Sequence, residues 1–80
     1  MGRLKYEQAK RLLARNILRL RQEKAWSQTT LADEANVRQA FVSSLEAERS
    51  NPTLSSLEKL AVALDVPIAD LLVAQPDRVR

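Results

Sequence analysis

The sequence contains no cysteine and no histidine. Disulfides, zinc sites built from these residue types and nucleophilic pairs that need either one are therefore excluded. No apolar run is long enough to cross a membrane, and the first residues lack the apolar core of a secretion signal. We expect a cytoplasmic protein that holds no metal and no cofactor and has no small-molecule ligand.

Glycine and proline are scarce as well, with one Gly and three Pro in 80 residues. Because both residue types disfavour helix interiors, their scarcity favours a helix-rich chain with little loop. A chain of this length makes a single small domain, residues 1–80, without room for a separate ligand-sensing domain. Paired acids at a plausible site, a glycine-rich phosphate loop and a nucleophile–base set are all missing, so we do not expect an enzyme.

Positive charge is concentrated near the N-terminus. Residues 1–24 contain eight Lys or Arg and two acids, whereas residues 25–80 contain five basic and eight acidic residues. The two parts therefore carry about +6 and −3, by the charges of their side chains. Such a distribution favours an oriented approach to a polyanion, although charge alone is equally compatible with a solvated helix face.

A long N-terminal helix is predicted over residues 4–24, which contain no Gly or Pro and many good helix formers. Apolar side chains recur at steps of four, four and three, which is the period of one helix face. These are Ala9, Leu13, Ile17 and Leu20. Since the rest of the domain needs that face for its core, we expect no membrane partner.

Residues 28–47, QTTLADEANVRQAFVSSLEA, predict two short helices joined by a sharp turn. The apolar residues of the two helices are Leu31, Ala32, Ala35, Val42 and Leu45. Asn36 lies between them and tolerates a left-handed backbone better than most residues do. Small and apolar residues on either side of such a turn are what a helix-turn-helix requires.

The C-terminal part predicts two more helices. Thr53 is a suitable N-cap for a fourth helix, whose expected buried stripe is Leu54, Leu57, Leu60, Ala61 and Leu64. Pro67 suits the first turn of a short fifth helix that contains Leu71 and Leu72. Residues 75–80 are expected to form a frayed tail.

Together, these segments resemble the DNA-binding domain of the phage repressor and Cro family, called the Xre family among bacterial regulators. The resemblance covers residues 14–73 and includes Arg21, Gln28 and the sequence NPTL at 51–54. It implies an all-α, five-helix, lambda-repressor-like domain. The small size is similar to that of the controller proteins of restriction–modification systems and of small prophage repressors.

The third helix is the expected reading surface. With Val42 and Leu45 facing inward, its outward residues are Gln39, Ala40, Ser43 and Ser44. This surface is small and polar and can approach base edges in a major groove. The resemblance implies that Gln28 contacts a DNA phosphate. The other expected phosphate contacts are Arg19, Arg38, Arg49, Ser50 and Asn51.

The resemblance also implies an ion pair between Arg21 and Glu46 and a homodimer contact through Ile68, Leu72 and Val73. Ordinary core packing is the alternative for these three apolar residues. Many relatives have Arg-Gly after the matching Glu, where this chain has Ala47-Glu48. An acid is therefore expected near the DNA side.

The implied function is that of a sequence-specific transcriptional regulator, a homodimer that binds a pseudo-palindromic operator in double-stranded DNA. The two half-sites of such an operator would lie about 34 Å apart. The alternative is a protein-interaction module of the same fold, such as an antitoxin or an adaptor.

Overall fold

A computed structural model describes residues 5–74. Within them the chain forms four α-helices and one 3-10 helix, without a strand. They are α1 (Tyr6–Glu23), α2 (Gln28–Ala35), α3 (Gln39–Glu46), α4 (Leu54–Leu64) and the 3-10 helix Ile68–Leu71. The all-α prediction is confirmed for this range, and the tail predicted at 75–80 lies outside it.

The fifth element differs from the α-helix that the sequence predicts. Its backbone bonds run from Asp70 N to Pro67 O and from Leu72 N to Ala69 O, each spanning three residues. The segment is only four residues long, and short apolar segments of this kind often form a 3-10 helix. Pro67 is the N-cap of this 3-10 helix, and its backbone is extended.

Two of the helix starts are closed by hydroxyl side chains. Ser27 Oγ accepts a hydrogen bond from Thr30 N at 3.0 Å, and Thr53 Oγ1 accepts one from Ser56 N at 3.0 Å. Each bond satisfies an amide that has no partner inside its helix. Arg38 occupies the same position before α3, and its side chain makes no such bond.

Each of the four α-helices is followed, directly or after one residue, by a non-glycine residue with a left-handed backbone. These residues are Ala25, Asn36, Glu48 and Asp65, with φ between 57° and 62°. In every case two backbone bonds close the helix end, as between Val37 N and Ala32 O at 3.0 Å and between Asn36 N and Asp33 O at 3.3 Å. This is the Schellman motif, which usually takes glycine at that position. This backbone costs about 1–2 kcal/mol at Ala25 and Glu48, whereas Asn36 and Asp65 tolerate it better.

A single apolar core joins the helices. Its buried residues are Leu13, Ile17, Leu31, Ala32, Ala35, Val42, Leu45, Leu57, Leu60, Ala61, Leu64 and Leu71. α3 packs against both α1 and α2, and the 3-10 helix packs against α1 and α4. The core therefore fixes the position of α3 from behind and leaves its opposite face to solvent.

Leu54 does not belong to the buried stripe of α4, contrary to the prediction, because its side chain is 72% exposed. The residue begins α4 and lies at the edge of the stripe.

Candidate nucleic-acid interface

The exposed face of α3 is uncharged. Gln39, Ala40 and Ser43 are exposed, whereas Val42 and Leu45 of the same helix are buried. Ser44 is half-buried, and its Oγ donates a hydrogen bond to the Phe41 carbonyl at 2.9 Å. Three of the four residues expected to contact bases thus have free side chains, and the fourth is bonded to its own helix.

A network of charged and polar side chains connects α3 to α1 and α2. Arg21 Nε donates to Glu46 Oε2 at 2.8 Å, and Arg21 Nη2 donates to Glu46 Oε1 at 2.9 Å. Gln28 Nε2 donates to Glu46 Oε1 at 3.0 Å. The carboxylate of Glu46 therefore joins the last turn of α1, the start of α2 and the end of α3.

This network is well shielded, since the side chains of Arg21 and Glu46 are only 13% and 10% exposed. The hydrogen bond to Glu46 raises the pKa of Arg21; burial opposes this rise, and the charge of Glu46 adds to it. Arg21 Nη1 also donates to the carbonyl of Trp26 at 2.8 Å. Parallel, charge-assisted bonds of this kind fix orientation as well as distance. The angle between α2 and α3 is therefore held on its polar side as well as by the core.

The turn after α3 breaks a local rule that the other three helix ends obey. The residue after the left-handed position is apolar and partly buried at the ends of α1, α2 and α4, where it is Trp26, Val37 and Val66. At the end of α3 it is Arg49, which is exposed. A hydrophobic contact commonly accompanies this motif, so Arg49 gives up local packing and presents a cation to solvent.

The rest of this turn is polar. Glu48 and Asn51 are exposed, and Ser50 is half-buried. The predicted phosphate-contact residues of this loop thus lie together at one end of α3. Arg38, also exposed, lies at the other end of the same helix.

Arg19 is not brought to this surface. Its Nη2 donates to Asn16 Oδ1 at 3.3 Å, and its Nη1 lies 3.1 Å from Glu23 Oε2. Asn16 in turn bonds to Leu71 and Val73, at the 3-10 helix. Since two residues turn an α-helix by about 200°, Arg19 lies on the side of α1 opposite to Arg21. Its position does not support the phosphate contact that the sequence predicts.

The residues predicted to form a dimer contact differ in exposure. Val73 is 44% exposed, whereas Ile68 and Leu72 are half-buried and pack against the core. Ile68 and Leu72 therefore contribute to the core, and only part of their surface is available to a second copy. Of the three, Val73 has the most exposed side chain, with less than half of its surface accessible.

A second apolar surface lies on α4 and was not expected from the sequence. Val62 is 71% exposed, and Leu54 lies eight residues earlier on the same helix. A groove of about 600 Å³ runs beside them. It is lined by Leu54, Ser55, Glu58, Ala61, Val62, Val66, Pro67 and Ile68. The signal in the sequence was the extra apolar residue Val62, which falls outside the stripe of α4.

Across residues 5–74, the acidic side chains form no cluster of three or more that could hold a metal ion. In the same part of the chain, no helix combines the length and apolarity needed to span a membrane.

Comparison with known proteins agrees with this geometry. The HTH_3 family model, described as helix-turn-helix, matches residues 17–71. A hypothetical transcription factor of Neisseria meningitidis is 38% identical over 69 residues, which are 86% of this chain and 65% of that protein. A crystal structure of the hypothetical transcription factor NHTF from Neisseria has a TM-score of 0.80, with 38% identity, and covers 91% of this chain and 85% of that one.

Two further relatives have solved structures. The restriction-modification controller protein C.AhdI from Aeromonas hydrophila is 31% identical, with a TM-score of 0.75 over 78% of this chain and 94% of that one. SinR of Bacillus subtilis is 36% identical over 76% of this chain and 56% of SinR. A structure of SinR in complex with DNA has a TM-score of 0.73 and 35% identity, and covers 76% of this chain and 98% of that one.

The chain thus spans about two thirds of the Neisseria relative and about half of SinR. These relatives are named as a transcription factor and a transcriptional regulator. The match to the family model covers more than half of the chain and includes all of α2 and α3. The protein therefore belongs to the Xre-like HTH_3 family of helix-turn-helix DNA-binding regulators.

Proposed function

We propose that the chain is a sequence-specific transcriptional regulator that binds a pseudo-palindromic operator as a homodimer. The observation that carries this proposal is the uncharged, exposed face of α3, held rigidly by the network around Glu46. A helix without acids on its outer face can enter a major groove without electrostatic repulsion. The DNA complex of the relative SinR supports the proposal.

Base reading is assigned to the first turns of α3. Gln39 can make paired hydrogen bonds to adenine, and the methyl group of Ala40 can contact a thymine methyl. Ser43 can donate to or accept from either partner of a base pair. Ser44 has a smaller part, because its hydroxyl proton is used by the Phe41 carbonyl.

Phosphate binding is assigned to residues at both ends of the reading helix. Gln28 Nε2 carries two protons, and Glu46 accepts one of them. The other proton is available to a phosphate oxygen, with the amide already oriented. The remaining proposed contacts are Arg38, Arg49, Ser50 and Asn51, which lie beside α3.

The homodimer is assigned to the surface of Ile68, Leu72 and Val73. Two copies related by a two-fold axis would present their α3 helices to half-sites one helical turn apart. The exposed apolar surface of Val73 supports this assignment.

The test starts with selection of bound sequences from random duplex DNA. We expect enrichment of an inverted repeat and tighter binding to it than to a scrambled duplex. Ser43→Asp should abolish this binding, because an acid then faces the DNA. Ser55→Asp is the matched control, since Ser55 is also exposed but lies on α4. Equal effects of the two variants, or no enriched sequence, would overturn the proposal.

A second function, a protein-interaction module such as an antitoxin or adaptor, is favoured by one observation. The groove beside Leu54 and Val62 is apolar and exposed. Weak binding that is independent of DNA sequence, with a partner protein lost on Val62→Asp, would favour this function.

A further inference from the structure

Asn16 is the one buried polar residue within residues 5–74, with 3% of its surface exposed. It lies in the middle of α1, among the apolar residues of the core face. An amide in such a place costs free energy unless its hydrogen-bonding groups find partners. Both the amide nitrogen and the amide oxygen of Asn16 have hydrogen-bond partners. The identity of these partners indicates the role of the residue.

The amide nitrogen of Asn16 holds the chain that follows the 3-10 helix. Nδ2 donates to the carbonyl of Leu71 at 2.9 Å and to the carbonyl of Val73 at 3.0 Å. These acceptors are 55 and 57 residues away in the sequence. On its other side, Oδ1 accepts from Arg19 Nη2. One side chain thus connects the middle of α1 to two alternate carbonyls near the end of the fold.

Between those two carbonyls lies Leu72, and the second carbonyl belongs to Val73. The side chain of Leu71 is fully buried and anchors the 3-10 helix, and Ile68 and Leu72 pack partly against the same core. After Leu71 the backbone has left the helix, and Val73 is 44% exposed. The hydrogen bond from the Asn16 amide therefore holds the backbone at Val73, one residue beyond the last side chain that packs on the core.

We propose that Asn16 is a positioning residue for self-association: it holds Leu72 and Val73 in the arrangement that a second copy recognises. This inference rests on the proposed homodimer. A surface held in place before binding loses less conformational freedom on association. Dimerisation should therefore depend on a side chain that is buried and touches neither the partner copy nor the DNA.

The variant that tests this is Asn16→Asp, which keeps the shape and the contact with Arg19 but replaces the donor by an oxygen. Both carbonyls then face an acceptor and are released. The matched control is Arg19→Ala, which removes the Oδ1 contact and leaves both donor bonds intact. Asn16→Ser, whose short hydroxyl cannot reach two carbonyls, serves as a second test variant if circular dichroism shows that Asn16→Asp does not fold.

The first readout is local and does not need a dimer. Because the sequence has no cysteine, Val73→Cys and Val62→Cys each provide a unique thiol for a fluorophore. At nanomolar concentration, time-resolved anisotropy should show greater mobility at position 73 when Asn16→Asp is added, with no change at position 62. Unchanged mobility at position 73 would overturn the inference.

The second readout is association. Sedimentation should show a dimer dissociation constant at least tenfold higher for Asn16→Asp than for the original chain, and within twofold for Arg19→Ala. Binding to a duplex with a single half-site should change by less than twofold, since α3 is untouched. An equal loss on half-site and full operator would indicate general damage and overturn the inference. A dimer of unchanged strength would also overturn it, whereas a monomeric original chain would overturn the homodimer itself.

Discussion

The guanidinium of Arg21 and the carboxylate of Glu46 meet in two hydrogen bonds of 2.8 and 2.9 Å, although 25 residues separate them in the sequence. Gln28 adds a third bond to the same carboxylate. Three helices are therefore tied together by one acidic side chain. Removing that charge would leave a shielded guanidinium without its counter-ion, which is costly in a protein interior.

Glu46→Gln should lower the free energy of unfolding by about 1–3 kcal/mol, because a partly buried charged donor loses its best acceptor. Glu48→Gln is the matched control, since Glu48 is exposed and two residues away. Its effect should stay within about 0.5 kcal/mol. Urea unfolding of both variants measures the difference, and equal losses would contradict the structural role given to Glu46.

Glu48→Gly should stabilise the fold by about 0.5–1 kcal/mol, since glycine adopts the left-handed backbone at φ 62° without steric cost. It should also strengthen binding to all DNA sequences, because an acid near the phosphates is removed. Ala25→Gly is matched in backbone geometry, with φ 59°. That control should gain stability alone, and a gain in DNA affinity there would contradict the electrostatic explanation.

Gln39→Ala should narrow the gap in affinity between operator and random DNA by about 1–3 kcal/mol, as expected for the loss of a paired base contact. The salt dependence of DNA binding by Gln39→Ala should hardly differ from that of the original chain. Arg49→Ala should keep the gap and lower the salt slope by about one, because it loses a phosphate contact. Titrations of both DNAs at several salt concentrations distinguish the two. If Gln39→Ala leaves base preference intact, then Ser43 or Arg38 becomes the leading base contact.

Arg38→Ala should lower the salt slope of DNA binding, whereas Arg19→Ala should leave it unchanged. The reason is position: Arg38 precedes α3, while Arg19 is paired with Glu23 and Asn16 on the far side of α1. Both substitutions remove one positive charge, so net charge cannot explain a difference. If both variants lower the salt slope equally, Arg19 also contacts a phosphate. If neither variant lowers it, the phosphate contact proposed for Arg38 is wrong.

Val73→Asp should weaken dimerisation and operator binding together while barely changing stability, because Val73 is 44% exposed. Val62→Asp is the matched control on α4, where the side chain is 71% exposed. Leu72→Asp is a poorer test, since this half-buried residue also packs on the core. Sedimentation at several concentrations measures the effect. If Val62→Asp dissociates the dimer and Val73→Asp does not, the groove on α4 is the interface.

Local signals were sufficient to predict most of the helices. The predicted turn at Asn36 and the predicted cap at Thr53 both follow from short-range preferences of neighbouring residues. Such preferences operate over one or two helical turns and need no knowledge of the rest of the chain. The helix-turn-helix is therefore largely predictable from the residues of the motif alone.

Long-range relationships could not be derived in the same way. Helical periodicity gives the direction of Leu54 but not whether another element covers it. The charge count groups Arg19 with Arg21, although they point to opposite sides of α1. The sequence pattern did not single out Asn16, because its acceptors at Leu71 and Val73 come near it only when the chain has folded back.

The four glycine-free helix ends have a consequence for the DNA as well as for the protein. The left-handed region open to a residue with a side chain is narrow, near φ 50–70°, so the joint at Asn36 resists adjustment. Because the angle between α2 and α3 is fixed at this turn, the recognition helix adapts little to operators of slightly different shape. The duplex must then do the bending, and its stiffness depends on base sequence. For the proposed homodimer, we therefore expect operators to favour flexible pyrimidine–purine steps between the two half-sites.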